Sequence, residues 1–216
     1  MLLWRWWSAR NKANDYRKII NVAEIQSSIL YYLSVFEKLN TTNKLVAKDI
    51  KSSWKTPPDD TYKINIDGAF HSDSRTGGWG FVIRNANGEV IASGAGNISF
   101  AASVIHSEAI AAYKGLQHAA QLGMAKIISE TDATILADAL NSMLIDGSSI
   151  GSINRQIRDF MHFEFSSCTV SVCNRNCNKV ADSLATYGAF VLESGSSMLM
   201  SQVPEFVSVL VSGDLP

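Results

Sequence analysis

The stretch Tyr62-Lys63-Ile64-Asn65-Ile66-Asp67-Gly68-Ala69-Phe70 constrains this chain more than any other. Apolar and polar residues alternate. In an extended strand Tyr62, Ile64 and Ile66 share one face, while Lys63, Asn65 and Asp67 share the other. A carboxylate in the body of such a strand is costly to bury unless it is paired or holds a cation. A fold built on this strand must therefore supply something for Asp67 to hold. Three later acids offer a candidate answer: Glu108, Asp132 and Asp182.

The elements after this strand follow from period and turn chemistry. Residues 77–84 read as a second strand, and Asn85-Ala86-Asn87-Gly88 as a tight turn with glycine where positive φ is needed. Residues 89–98 read as a third strand, completing an antiparallel meander. The period then changes. Ser103 or Ser107 can cap a helix that puts Ala109, Ala112, Leu116 and Ala119 on one face, with Gly123 placed to end it. Glu108 is placed in the first turn of this helix. Lys126 to Asp132 is a fourth strand ending in acids, followed by a helix from Ala133 to about residue 144. Asp146-Gly147-Ser148-Ser149 breaks the chain, and a further helix is expected over 153–162. Residues 168–174 alternate as a fifth strand, and 178–190 form a last helix. The expected fold is α/β: a five-stranded mixed sheet, three antiparallel strands then parallel ones, flanked by helices.

Domain limits come from composition. Residues 61–192 form the α/β domain, 1–60 an N-terminal helical extension and linker, and 193–216 a tail without clear period in which 203–210 is a short strand or helix docked on the body. Val22, Ile25, Ile29, Tyr32, Phe36 and Leu39 recur at helical spacing, which suits a helix packed on the domain or on a neighbour. Trp4, Trp6 and Trp7 beside Arg5, Arg10, Lys12, Arg17 and Lys18 leave a nucleic-acid arm as the alternative. Arg5 and Arg10 also interrupt the opening apolar run, which argues against a secretory signal. Charge is uneven: ten basic against six acidic residues over 1–60, nine against eleven over 61–190, and three acids without a base over 191–216. Cys168, Cys173 and Cys177 cannot all pair and lack zinc-ligand spacing, so a reducing intracellular compartment is expected, nucleus and cytoplasm not being distinguished. No apolar run reaches the length of a membrane span.

Each acid also has an ordinary reading. Asp67 could bond turn amides near Gly68. Glu108 could favour a helix N-terminus, Asp132 could cap the following helix, and Asp182 could be a solvated helix acid. Their convergence offers a different chemistry. Phosphodiester hydrolysis needs an activated water and charge stabilisation on attacking and leaving oxygens. Two divalent cations held by carboxylates supply both.

At this point the residues resemble a known family. Residues 63–70 (KINIDGAF), 77–90 (GGWGFVIRNANGEV), 107–123 (SEAIAAYKGLQHAAQLG), 130–132 (ETD) and 178–185 (NKVADSLA) resemble the ribonuclease H type 1 domain, in its plant reverse-transcriptase-like, retroelement-derived branch. The resemblance implies that Asp67, Glu108, Asp132 and Asp182 are both the catalytic and the metal-binding residues. Asp67 would bridge two Mg2+ ions, for which Mn2+ could substitute. It implies an RNA/DNA hybrid as partner, its RNA strand cut to leave a 5′ phosphate and a 3′ hydroxyl, and no membrane. Groove shape, phosphates and 2′-hydroxyls would carry recognition. Arg175 and Asn178 match residues usual in that branch and, with Gly68, are the expected substrate contacts.

Two departures stand out. The loop Val172-Cys173-Asn174-Arg175-Asn176-Cys177 carries no histidine where many family enzymes have one, and residues 141–167 contain only Arg155 and Arg158 as bases. Weak grip on a hybrid is expected. The alternative to a nuclease is a catalytically weak or inactive nucleic-acid-binding relic of the same fold. An integrase or transposase relies mostly on three acids, and an aspartic protease would need Thr or Ser between Asp67 and Gly68; both fit less well.

Overall fold

The structure, a computed structural model, describes residues 53–142 and 150–214. The expected helix within 1–40, the linker up to residue 52 and the break at 146–149 lie outside these residues. The chain runs β1 (Tyr62–His71), β2 (Thr76–Arg84), β3 (Val90–Ile98), α1 (Val104–Gln121), β4 (Lys126–Thr131), α2 (Thr134–Asn141), α3 (Gly151–Glu164) and β5 (Ser167–Val172). A single 3-10 turn follows (Arg175–Cys177), then α4 (Lys179–Phe190), β6 (Ser197–Met200) and α5 (Glu205–Asp214). One sheet has the order β5-β4-β1-β2-β3-β6. β1 with β2, β2 with β3 and β3 with β6 pair antiparallel, while β4 pairs parallel with β1 and β5 parallel with β4.

The mixed α/β sheet expected from the sequence is present, with six strands rather than five. β6 pairs with β3, from Ser93 opposite Met200 to Gly96 opposite Ser197. Four residues, Ser-Met-Leu-Met, are too few to show an alternation. Pairing with an existing edge, not a local pattern, makes this strand.

Both sheet faces are covered. Ile64 and Ile66 of β1, Phe81 and Ile83 of β2 and Ile127 of β4 pack with Leu116 of α1, Leu136 of α2 and Ile157 of α3. On the opposite face Val82 and Ala95 meet Val180 and Leu184 of α4 and Val207 of α5. Helix α1 starts where Ser103 caps it, the hydroxyl accepting the His106 N–H at 3.3 Å. It ends at Gly123, whose φ of 71° suits a residue without a side chain.

The polar face of β1 is buried as well, and each side chain needs a partner. Lys63 pairs with Glu130 at 2.7 Å and donates to the Lys55 carbonyl at 2.7 Å. Asn65 accepts from the Trp54 indole at 2.9 Å and donates to Glu130 at 3.1 Å. Trp54 lies in the stretch read as a linker, yet it is buried. Arg84 stacks 4.4 Å over its ring and pairs with Asp214 of α5 at 2.9 Å. The third polar residue of β1 is Asp67. Among the described residues no helix is long and apolar enough to cross a membrane.

Helix α4 lies almost on the sheet because β2 offers Gly78 and Gly80. A Cβ on Gly80 would run into the Ala185 nitrogen and the Ala181 carbonyl. Backbone on both sides leaves nowhere to yield. Gly80→Ala is therefore expected to destabilise the fold by about 1–3 kcal/mol or more. Chemical denaturation followed by circular dichroism measures this, and an unchanged midpoint would contradict the packing described.

Candidate metal centre

Strand register brings the first two acids together. The last parallel pair between β1 and β4 is Asn65 opposite Glu130. Two residues further along each chain stand Asp67 and Asp132. Side chains alternate along a strand, so both carboxylates emerge on the face that carries Asn65 and Glu130. Gly68 explains the third. A Cβ there would overlap the backbone of Ser107 and Glu108. Without one, α1 closes directly on β1 and sets Glu108 beside Asp67. Glu108 sits in the second turn of α1, not the first as the sequence suggested, because Ser103 rather than Ser107 is the cap. The helix N-terminus therefore does not account for it.

One oxygen each from Asp67, Glu108 and Asp132 lie within 4.8 Å of one another. Asp67 and Glu108 are only 8% and 6% exposed. Asp132 does not cap α2: Ala133 occupies the cap position, and its N–H goes to the Thr131 hydroxyl at 3.0 Å. Its carboxylate instead meets the Arg175 guanidinium at 3.1 Å. That contact is weak in solvent, since Arg175 is 91% exposed.

Asn178 ties the group together. Its amide nitrogen donates to the Ile66 carbonyl at 2.9 Å and approaches Asp67 Oδ1 at 3.3 Å and Asp132 Oδ1 at 3.5 Å. This fixes the start of α4 to β1. Asp182 lies four residues on, one turn along the same helix face. It is exposed and stands outside the tight group of three, at the rim of the cleft. The cleft encloses about 640 Å³ and is open to solvent. Besides the four acids, Gly68, Val104, Thr134, Arg175, Asn178 and Lys179 line it. The lining by Lys179 and Thr134 carried no signal in the sequence. The His118 ring lies 5.6 Å from the Phe81 ring, tilted against it.

The electrostatics disfavour charge on these acids. Burial, then repulsion from Asp132 and Asp182, lifts Asp67 to about 8. Burial, then Asp67 and Asp132, lifts Glu108 to about 9, against a hydrogen bond from the Gly68 backbone. Asp182 is also raised, mainly by partial burial and by Asp132, with Arg175 pulling it down. Glu108 Oε2 is buried with no hydrogen-bond partner. A divalent cation fits this arrangement. It would occupy the orphaned oxygen and relieve the repulsion. An all-oxygen donor set suits hard ions such as Mg2+ or Mn2+.

Proton linkage gives a test. Both acids bind protons in the folded state over a range, from about 4 to 8–9, in which the unfolded chain has lost them. Their contribution to metal-free stability is therefore greatest at acid pH and falls as pH rises through that window. Asp67→Asn is expected to flatten the fall, and added Mg2+ to offset it most at the alkaline end. Melting temperatures across pH, with chelator and with Mg2+, read both effects; a metal-free stability that rises toward pH 8 would refute the assignment.

Comparisons with known proteins agree with the fold. No curated relative matches the chain. The N-terminal RNase H domain of Rv2228c from Mycobacterium tuberculosis, solved as a fusion with maltose-binding protein, is 19% identical with a TM-score of 0.53, over 59% of this chain and 92% of that one. RNase H1 from Halobacterium salinarum is 21% identical with a TM-score of 0.51, over 59% and 96%. LC11-RNase H1 in complex with an RNA/DNA hybrid is 15% identical with a TM-score of 0.51, over 58% and 94%. At these identities the likeness is one of fold. The family described as reverse transcriptase-like matches residues 65–188, more than half of the sequence, so the chain belongs to that family, with a fold similar to that of ribonuclease H domains.

Proposed function

We propose that this chain is a ribonuclease of the H type, hydrolysing the RNA strand of an RNA/DNA hybrid with two Mg2+ ions, or Mn2+, as cofactors. One observation carries the reading: three carboxylates from β1, α1 and the end of β4 converge within 4.8 Å at the floor of an open cleft. When bound, the cations supply an activated water and neutralise charge on the attacking and leaving oxygens. Asp67, Glu108 and Asp132 would hold them, with Asp182 completing the set from the rim. Asn178 keeps Asp67 and Asp132 in register. Arg175 and Lys179, at the same cleft, offer positive charge to the phosphates of the substrate. The hybrid bound by LC11-RNase H1 supports the choice of substrate.

A second reading is a binding module of the same fold without useful catalysis. The Arg175–Asp132 ion pair favours it, since it already occupies part of the carboxylate site.

A labelled RNA/DNA hybrid with Mg2+ separates the two. Cleavage is expected in the RNA strand alone, falling to background in Asp67→Asn. Asn178→Ala should lower kcat about 10–100-fold, the usual cost of losing a group that orients metal ligands. A folded wild-type protein that binds hybrid but leaves it intact at high enzyme would establish the binding module instead.

A further inference from the structure

The amino end of α1 carries a second feature that the carboxylate chemistry does not use. Phe100 is 60% exposed, although Ala101 beside it is fully buried. The Arg75 guanidinium lies 5.0 Å from the centre of the Phe100 ring. Two loops meet here, β1–β2 and β3–α1, joined where the Ala101 N–H donates to the Arg75 carbonyl at 2.7 Å. Arg75 itself has a φ of 54°, a conformation residues with a Cβ seldom adopt. Backbone strain of this kind persists only where the surroundings enforce it. Among the described residues no carboxylate pairs with Arg75. The display continues toward the cleft. Val104, four residues on and 57% exposed, lines it, and Glu108 follows one helical turn later.

We propose that Arg75 and Phe100 form a second contact for the nucleic-acid substrate, beyond the carboxylates: Arg75 takes a backbone phosphate and Phe100 packs against the adjoining sugar. The inference rests on the nucleic-acid reading of the cleft. An arginine on an aromatic ring keeps its N–H groups free for phosphate oxygens while the ring limits its rotamers. The ring supplies apolar surface that a paired base cannot reach but a sugar face can. In a domain with few basic residues, one ordered arginine is a large share of the electrostatic grip.

The test measures binding of an RNA/DNA hybrid to the Asp67→Asn protein with Mg2+ over a series of salt concentrations. Arg75→Gly removes the charge and accommodates the positive φ, so misfolding does not confound it. It is expected to weaken binding several-fold and to reduce the slope of log affinity against log salt by about one. Arg75→Lys should restore the slope. Phe100→Ala should weaken binding several-fold with the slope unchanged. If the parent binds and Arg75→Gly and Phe100→Ala match its affinity and slope, this contact is overturned while the site reading stands. If the parent does not bind hybrid, the nucleic-acid reading of the cleft falls and this contact with it.

Discussion

Repulsion between buried carboxylates explains why so much of this fold is built to hold its backbone fixed around Asp67. Asp67 and Glu108 are packed into the body of the fold, next to Asp132, where neither charge is solvated well. A fold accepts that cost only if its other parts hold the acids rigidly. They do so here by backbone means. The parallel register sets Asp67 beside Asp132, the missing side chain of Gly68 admits α1, and Asn178 bonds the Ile66 carbonyl. Each restraint acts on the main chain, so the backbone positions that carry the carboxylates stay close together.

The same economy of backbone contact recurs on the α4 face. Gly78 and Gly80 let α4 rest on β2, and α4 carries Asp182 toward the cleft. Packing and chemistry are linked by this helix. Its first residues support the centre, while Val180 and Leu184 sit in the second apolar cluster with Val207 of α5. The C-terminal residues therefore contribute to the layer that positions the site. Arg84, buried between Trp54 and Asp214, ties them to the segment before β1. Replacing one member of that buried set would leave a charge or an indole without its partner.

Much of this was legible in the chain itself. The alternation around Asp67, the glycine after it, and the acids at 108, 132 and 182 pointed to a centre before any fold was known. The meander and the helical crossovers were also readable, since their periods of two and 3.6 residues are strong and their ends carry glycine or serine. Glu108 was placed one turn too early because Ser103 and Ser107 are equally good caps in isolation, and only contacts choose between them. On sequence alone Trp54 reads as linker, because its neighbours, Lys55, Thr56, Pro57 and Pro58, are loop-forming residues. β6 left no trace, being a strand only by virtue of β3.

The order of residues alone settles which groups are present and in what sequence: four acids, each on or beside a regular element, in a domain whose local patterns agree with one another. Hydrophobic period and turn chemistry are local, so they survive without the fold. Distance between those groups comes from the packed fold. Asp67, Glu108 and Asp132 form the tight group, and Asp182 stands at its rim. Arg75 meets Phe100 across 25 residues, and Arg84 meets Asp214 across 130. These separations carry no local signal, because pairing of distant segments is settled by how whole elements pack.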